Sequence, residues 1–402
     1  MTGQAARGAR VPGVGQFNES VVLELIRQAP DGISRSRIST ESGLSAQTVS
    51  SITRRLIKSR LVRETPGQAA GPGKPAAVLQ LEPGSRFAVG VHLDPVELSA
   101  VVLDLTGTVR VAARRSVQDA SPTALMGEIA VLVGETLGLA KVDRSAVVGL
   151  GVASPGPIDT RSGVVDPPLL AGWDQVPLRE TLHSLTGLPV IIERDVDAAV
   201  IGELWLRPEG GRDLMYIYYG TGLNSGIGLD RQVHRGERGR AGHLAHLWSG
   251  TGGTRCRCGK YGCLGHNLSP AEILRRAAES GIKNISRASD RESVEALVRL
   301  AETDRRAARI LADVGARLAE GTAVLSAFLD ISRVVIGGPM WSTVAPAARD
   351  TLQRRLATAR RAERCPDVTP AETGTDDSAA VGAGCLVLDA MFSPRPEALL
   401  TR

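Results

Sequence analysis

The stretch His246-Leu-Trp-Ser-Gly-Thr-Gly-Gly-Thr-Arg-Cys256-Arg-Cys258-Gly-Lys-Tyr-Gly-Cys263 places one imidazole and three thiols within eighteen positions. Three of the chain's five cysteines lie in its last eight residues. Disulfide pairing does not account for them, because Cys256 and Cys258 are too close to pair without strain and three thiols leave one over. This donor set is the composition of a closed Cys₃His zinc site. We therefore predict one structural Zn²⁺ per chain, bound by His246, Cys256, Cys258 and Cys263.

The size and composition of the chain indicate a protein of two or three domains. Its 402 residues exceed one ordinary domain, and a hydrophobic content of 43% can fill a sizeable core. No apolar run looks long enough to span a bilayer, and the N-terminus has no hydrophobic stretch typical of a signal peptide. Metal-binding thiols also suit a reducing compartment. We expect a cytoplasmic protein with no membrane partner.

The positive charge of the chain is concentrated at its N-terminal end. Residues 1–85 contain eleven Lys/Arg and six Asp/Glu, which is a net charge of +5. The remaining residues contain 48 − 11 = 37 basic and 43 − 6 = 37 acidic side chains, so their net charge is zero. A basic module on a neutral body is typical of polyanion binding. A solvated basic surface without a partner is the alternative that charge alone leaves open.

Residues 17–82 carry the pattern of a winged helix-turn-helix domain. Residues 1–16 are rich in Gly, Ala and Arg and are expected to be disordered. The chain then shows a short helix, a glycine turn, a capping residue and a longer amphipathic helix, which is the order of a helix-turn-helix. The first helix is expected after Asn18, and Ser34 caps the second. Gly43 forms the turn, and the third helix, capped by Ser45, covers residues 46–59.

The third helix has a polar face suited to DNA. Short hydrogen-bonding groups near its N-terminus fit base edges, and the basic residues that follow fit phosphates. Two short strands around a Gly/Pro-rich basic tip predict a wing, although an ordinary small bundle would contain similar helices. The predicted DNA-binding residues are Ser45, Gln47, Thr48, Ser50, Ser51, Arg54, Arg55, Lys58 and, in the wing tip, Lys74.

From about residue 86 the chain reads as an α/β domain in two similar halves. Buried strands end in glycine turns and alternate with helices, which indicates an α/β architecture. In the first half a strand over residues 147–154 leads into Pro155-Gly156-Pro157, and in the second a strand over residues 215–219 leads into Gly220-Thr-Gly222. The repetition predicts two lobes with a cleft between them.

Several of these segments resemble the ROK family, which groups transcriptional repressors with sugar kinases. They are Gly149-Leu-Gly-Val-Ala-Ser-Pro-Gly-Pro-Ile-Asp159, Ala171-Gly-Trp-Asp-Gln-Val-Pro-Leu178, Gly220-Thr-Gly222 and the His/Cys cluster. The resemblance implies an actin-like, hexokinase-like ROK domain over residues 86–392, behind the winged head and followed by a tail over 393–402. It also implies a homodimer or tetramer.

The phosphate-binding turn that the resemblance implies is altered in this chain. ROK sugar kinases carry Asp-x-Gly-Gly-Thr there, whereas this chain has His92-Leu-Asp-Pro-Val96. Glycines let backbone N–H groups approach phosphates closely, and proline has no N–H to offer. We therefore expect no kinase activity. The alternative is a ROK sugar kinase that phosphorylates a hexose with ATP, and the retained Gly220-Thr-Gly222 favours it.

The sugar site that the resemblance implies is also altered. Its Glu-Asn-Asp motif is Glu193-Arg194-Asp195 here, so Asp195 is the relic of the kinase general base and no residue is expected to be catalytic. The family's Gly-Glu-x-Gly-His motif becomes Gly242-His243-Leu-Ala-His246, a family glutamate becomes Gly265, and a family asparagine becomes Leu169. The expected effector-binding residues are Gly156, Arg194, Asp195, His243 and His246.

Two interpretations of the altered pocket remain open at this point. Arg194 and His243 add donors and positive charge, which favours an anionic effector such as a phosphorylated or acidic sugar. Alternatively, Arg194 pairs internally with Asp195 or Glu193 and the pocket binds nothing. The second alternative describes a regulator without a small ligand, controlled by a protein partner or by its own abundance.

Together these features predict a DNA-binding transcriptional regulator. A two-fold symmetric dimer favours an inverted-repeat operator, and repression is the commoner mode in the family that the chain resembles. A sugar or sugar-derived effector in the cleft would change the angle between the lobes and hence the spacing of the two heads.

Overall fold

The structure, a computed structural model, comprises an N-terminal head and two lobes in chain order. It describes residues 14–67, 77–167, 170–207, 210–250, 253–359, 367–370 and 377–394. The predicted α/β class, with a winged helix-turn-helix before a two-lobed domain, is confirmed.

The head contains three helices and the predicted glycine turn. Ser34 caps the second helix by accepting from the Arg37 N–H, and Gly43 ends it at φ 70° in the left-handed region. Ser45 caps the third helix by accepting from the Thr48 N–H. The helices are α1 (Val14–Arg27), α2 (Arg35–Ser42) and α3 (Ala46–Lys58).

The start of α1 corrects the sequence prediction. The helix begins at Val14, not after Asn18, so the predicted disorder of residues 1–16 is wrong for residues 14–16. The reason is Phe17, which is half-buried and lies one turn before Val21 on the same apolar stripe. Residues 1–13 lie outside the described residues.

The wing is a two-stranded antiparallel sheet. Its strands are β1 (Val62–Pro66) and β2 (Ala77–Leu81), with Val62 opposite Leu81. Ile33, just before α2, bridges to Leu79 and ties the wing to the helices. The predicted wing tip, including Lys74, falls on residues 68–76 and lies outside the described residues.

The first lobe is built on a five-stranded mixed sheet. Its elements are β3 (Phe87–Leu93), β4 (Glu97–Asp104), β5 (Val109–Ser116), α4 (Pro122–Ala140), β6 (Val147–Ser154), β7 (Ile158–Asp159), β8 (Val164–Val165), α5 (Leu178–Thr186) and β9 (Val190–Arg194). The sheet has the order β5-β4-β3-β6-β9, in which β3, β4 and β5 are antiparallel and β6 and β9 are added in parallel.

The second lobe repeats this plan with helices inserted before its fourth strand. Its elements are α6 (Asp195–Leu206), β10 (Leu214–Tyr219), β11 (Leu223–Leu229), β12 (Gln232–Val233), α7 (Leu264–Asn267), α8 (Pro270–Glu279), α9 (Asp290–Leu300), α10 (Arg305–Leu329), β13 (Arg333–Gly337), α11 (Pro339–Ala359), β14 (Asp367–Pro370) and α12 (Ser378–Phe392). The sheet order, β12-β11-β10-β13-β14, has the same mixture of antiparallel and parallel pairs.

Helices α6 and α12 pack against each other between the two sheets. Their backbones approach closely at Gly382, where a Cβ atom would lie 2.1 Å from the Ala198 carbonyl oxygen. Only glycine fits this position. The resulting core also reaches the head, because one hydrophobic cluster contains Val22 and Ile26 of α1 together with Trp205 and Leu388.

Helix α4 corrects a second expectation. Contrary to the sequence analysis, it is long and apolar enough to cross a membrane by length and composition. One face of the helix packs in the core of the first lobe, where Leu125 and Ile129 are fully buried. The sequence criterion missed it because small and polar residues interrupt the apolar run.

Candidate functional site

The four predicted metal ligands come together in one loop. The ligand atoms of His246, Cys256, Cys258 and Cys263 all lie within 4.8 Å of one another. Cys258 Sγ is 3.5 Å from Cys263 Sγ, and Cys256 Sγ is 3.7 Å from His246 Nδ1. A tetrahedral zinc with bonds of about 2.3 Å requires donor atoms roughly 3.8 Å apart. The donor set therefore fits a closed four-ligand metal site.

Backbone contacts shape the loop around these ligands. The Ser249 N–H donates to the Gly262 carbonyl, and Trp248 bridges to Cys263. Gly262 has φ 78°, and a Cβ atom there would lie 2.2 Å from the Gly250 carbonyl oxygen, so the turn requires glycine. Arg317 of α10 donates to the Ser249 carbonyl at 2.8 Å and fixes the loop to the second lobe.

The altered phosphate turn faces the retained one across the cleft. Asp94 Oδ1 accepts from the Val96 N–H at 2.9 Å, so this backbone donor is already satisfied within the turn. Thr221 Oγ1 of the second lobe donates to Asp94 Oδ2 at 3.3 Å. A carboxylate therefore lies between the two turns, at a place where the phosphates of a nucleotide would meet a negative charge.

Arg194 is held inside the pocket by a partner that the sequence analysis missed. Its Nε and Nη2 atoms donate to the two carboxylate oxygens of Asp197 at 2.8 and 2.9 Å, and Nη2 also donates to the Ala241 carbonyl. The predicted internal pairing with Asp195 or Glu193 is thus corrected to a bidentate pair with Asp197. A signal existed, since Asp197 lies three residues along and shares a helical face with Arg194.

Buried Glu193 forms a second ion pair of the pocket, with the exposed Arg235. Its Oε2 accepts from Arg235 Nε at 2.8 Å, and its Oε1 accepts from the Arg194 N–H at 3.1 Å. Burial raises the pKa of Glu193, and burial likewise raises the pKa of Asp197, while their arginine partners oppose both shifts. The Arg194–Asp197 and Arg235–Glu193 pairs leave little net charge in this part of the cleft.

Asp195 is half-buried at the N-terminus of α6. Its Oδ1 accepts from the Val196 N–H at 2.7 Å. Burial raises the pKa of Asp195, and nearby His92 opposes the shift. Gly156 lies close by, because a Cβ atom there would be 3.2 Å from Arg194 Cδ.

The replaced residues His243 and Gly265 lie beside the metal loop. The His243 ring centroid is 5.4 Å from that of His246, and partial burial, together with the nearby guanidinium groups of Arg194 and Arg240, lowers the pKa of His243. At Gly265 a Cβ atom would lie 2.9 Å from Ala245 Cβ, so the space of the family's glutamate is already filled. Leu169 lies outside the described residues.

Helix α3 presents most of the predicted DNA-binding residues on one surface. Gln47, Ser51, Arg54 and Lys58 are exposed, and the Ser45 hydroxyl also bonds the Thr48 hydroxyl at 2.8 Å. Thr48 and Ser50 are half-buried along the same helix.

The three basic residues of α3 differ in their surroundings. Arg55 donates to Glu19 Oε2 of α1 at 2.8 Å, so its charge is partly neutralised within the head. Neither Arg54 nor Lys58 has an ion-pair partner in the part of the chain that the structure describes. Those two residues are therefore the stronger candidates for phosphate contacts.

The fold, the metal loop and the glycine turns are the features by which we assign the chain to a protein family. Residues 89–390 match the family model described as ROK family, and the chain belongs to that family.

Its relatives include regulators and kinases. The chain is 24% identical over 388 residues to the DNA-binding transcriptional repressor Mlc of Escherichia coli (strain K12), and this alignment covers 94% of both chains. It is 26% identical over 265 residues to the xylose repressor of Bacillus subtilis (strain 168), and that alignment covers 65% of this chain and 68% of the relative.

Solved structures show the same fold. A ROK family transcriptional regulator described as a homologue of the E. coli MLC protein superposes with a TM-score of 0.74 at 24% identity, covering 96% of this chain and 98% of the other. A ROK family glucokinase from Streptomyces griseus, in complex with glucose and AMPPNP, covers 75% of this chain and 98% of its own with a TM-score of 0.62 at 23% identity.

Proposed function

We propose that this protein is a sequence-specific DNA-binding repressor that acts in the cytoplasm as a dimer. A sugar or sugar derivative, bound in the cleft between the lobes, sets its affinity for the operator. The cleft itself has lost kinase activity. The observation that carries the proposal is the union of a winged helix-turn-helix head with a ROK body in which the Asp94 carboxylate faces Thr221. The full-length similarity to a repressor supports it.

The experiment that tests DNA binding is selection of genomic fragments by the purified full-length protein at moderate salt. We expect recovery of a discrete inverted repeat, as a two-fold dimer requires. Recovery of DNA without sequence preference, with affinity that only tracks salt, would reduce the head to a polyanion-binding module.

Charge variants then identify the phosphate contacts on the recovered site. Arg54→Ala and Lys58→Ala should each lower the slope of log affinity against log salt by about 0.9, the value for one phosphate contact. Arg55→Ala should change it less, because Glu19 already neutralises this side chain. Arg354→Ala, an equal charge change on the exposed surface of α11, is the matched control and should leave the slope unchanged.

We further propose that the effector is a neutral sugar. The guanidinium of Arg194 is bonded to Asp197 and to the Ala241 carbonyl, so it is not free for an anion. Asp195 and His243 then remain as the polar groups suited to sugar hydroxyls. A calorimetric panel of neutral pentoses and hexoses against their phosphates tests this class. Tighter binding of the phosphates would instead restore the anionic interpretation.

Zinc is the metal that we propose for the His246 loop. Four protein ligands close the tetrahedron and leave no position for water, so its role would be structural. Metal analysis of the purified protein should give one zinc per chain.

The second candidate function is a sugar kinase, favoured by the retained Asp195 and Gly220-Thr221-Gly222. A coupled ATP assay over a panel of hexoses distinguishes the two functions. We expect no sugar-dependent turnover, because the Val96 N–H is bonded to Asp94 and Pro95 has no N–H. Steady turnover that scales with protein concentration would establish the kinase.

A further inference from the structure

Helix α6 joins the effector cleft to the DNA-binding head. Its first turn contains Asp195 and Asp197, and its last turn contains Leu204 and Trp205. Ten of its twelve residues are buried. A helix of this length is about 18 Å long, so one straight element spans the distance between the pocket and the head.

The head contacts α6 through the end of α1. The Arg27 guanidinium lies over the Trp205 indole, 4.4 Å from the ring centroid, and donates to the Trp205 carbonyl. Arg27 also pairs with Glu24 at 2.7 Å. Arg231 of the second lobe donates to the Leu204 carbonyl at 3.0 Å and lies 3.7 Å from Glu24. Carbonyls at the end of α6 are thus bonded to an arginine of the head and an arginine of the body.

The sides of α6 are clamped by close backbone approaches. A Cβ atom at Gly382 of α12 would lie 2.1 Å from the Ala198 carbonyl oxygen, and one at Gly226 of β11 would lie 2.6 Å from the Val196 carbonyl oxygen. Closely packed interiors transmit displacement and resist local bending. A displacement of the first turn of α6 would therefore be carried to its last turn.

The first turn of α6 is bonded to residues of the pocket. Arg194 joins Asp197 of α6 to the Ala241 carbonyl, which belongs to the loop that carries His243. A ligand bonded between Asp195 and His243 would contact both sides of this connection.

We propose that α6 transmits effector occupancy to the DNA-binding head, with the Arg27–Trp205 contact as the coupling between them. The proposal rests on the proposed function, because it concerns control of DNA binding from the cleft. Arg27 is a positioning residue in it, since it lies away from the DNA-facing surface of α3. Coupling of this kind requires only that the two ends of α6 change position together.

A double-mutant cycle tests the coupling without knowledge of the effector. Asp197→Asn perturbs the pocket end, and Arg27→Lys keeps the positive charge beside Glu24 but removes the planar group over the indole. The readout is the affinity of the full-length protein for the operator recovered by selection. Asp197 and Trp205 are about 12 Å apart along the helix, so uncoupled effects should combine within about twofold.

We expect Asp197→Asn to change operator affinity at least fivefold in the otherwise natural protein and less than twofold in the Arg27→Lys background. Arg37→Lys, the same substitution at the exposed Arg37–Glu41 pair of α2, is the matched control and should combine additively with Asp197→Asn. Additive behaviour of Arg27→Lys would overturn the proposal. If Asp197→Asn fails to fold, Arg194→Lys perturbs the same pair.

Hydrogen exchange separates failure of this inference from failure of the proposed function. If selection recovers no specific operator, amide exchange over Val14–Arg27 is compared between the natural protein and Asp197→Asn. We expect at least fivefold faster exchange in α1, suppressed in the Arg27→Lys background. Unchanged exchange in α1 would refute the coupling, whatever the head binds.

Discussion

The metal loop, residues 246–263, and the proposed effector pocket around Arg194 lie side by side, but their polar groups have different partners. In the loop, the ligand atoms of one imidazole and three thiols lie within 4.8 Å of one another. In the pocket, the charges of Arg194 and Glu193 are already met by Asp197 and Arg235. We therefore expect the loop to require a metal ion, whereas the charges of Arg194 and Glu193 are paired within the protein.

Loss of a loop ligand should have the largest effect. Cys258→Ser should reduce the zinc content from one per chain to near zero, because apparent binding free energies at structural zinc sites, on the order of 10 kcal/mol, require the full ligand set. Metal analysis after dialysis measures it. Cys385→Ser, at a buried cysteine of α12 outside the loop, is the control and should keep its zinc. Retention of zinc by Cys258→Ser would show that the loop is not a four-ligand site.

Breaking a pocket pair should cost stability without any change in metal content. Arg194→Met leaves the Asp197 carboxylate buried and unpaired, which costs about 3–5 kcal/mol in the free energy of unfolding. Urea unfolding measures this value. The matched control is Arg212→Met at the exposed Arg212–Asp230 pair, which should cost less than about 1 kcal/mol. An equal loss in the free energy of unfolding for the two variants would show that the Arg194–Asp197 pair stabilises the fold no more than an exposed ion pair.

The same contrast explains what the sequence could predict. The metal ligands lie within eighteen positions, so spacing and donor chemistry sufficed to predict their convergence. The capping preference of serine likewise predicted the helix caps Ser34 and Ser45. A buried apolar run predicted β6 with the correct first and last residues.

The pocket and the head–body contact were harder to predict because their partners depend on tertiary packing. Three carboxylates lie near Arg194 in the sequence, at Glu193, Asp195 and Asp197. The helical turn at the start of α6 places Asp197 within hydrogen-bonding distance of the guanidinium. Arg27 and Trp205 are 178 residues apart, and nothing in either segment alone indicates their contact. The helices α8 to α11 were also not assigned from sequence, because their amphipathic patterns carry no motif.

A buried pair near the other end of α6 tests whether pairing fully offsets burial. Burial raises the pKa of Glu203 to about 7, although Arg333 and Arg207 oppose the shift. Between pH 4.5 and 7 the folded protein then holds a proton that the unfolded chain releases, so this stabilisation is present at low pH and lost as the pH rises through 7. The displacement from 4.5 to about 7 corresponds to about 3 kcal/mol.

Glu203→Gln should remove this pH dependence. The free energy of unfolding of the variant minus that of the natural protein should rise by up to about 3 kcal/mol between pH 4.5 and 8, measured by urea unfolding at each pH. A difference that stays constant over this range would show that Arg333 fully compensates the burial of Glu203.

The smallest effect concerns the boundary between loop and pocket. Gly265→Glu restores the family's glutamate in sequence, but a Cβ atom there lies 2.9 Å from Ala245 Cβ, so we expect a loss of about 1–3 kcal/mol from overpacking and no gain in sugar affinity. Unfolding and calorimetry with D-xylose and D-glucose measure the two effects. Gly127→Glu, in α4 with no atom within 4 Å of the added Cβ, is the control and should not destabilise the protein. Tighter sugar binding by Gly265→Glu would contradict this expectation. It would show that Ala245 can move to accommodate the glutamate side chain, and that the pocket still binds sugar through a carboxylate at this position.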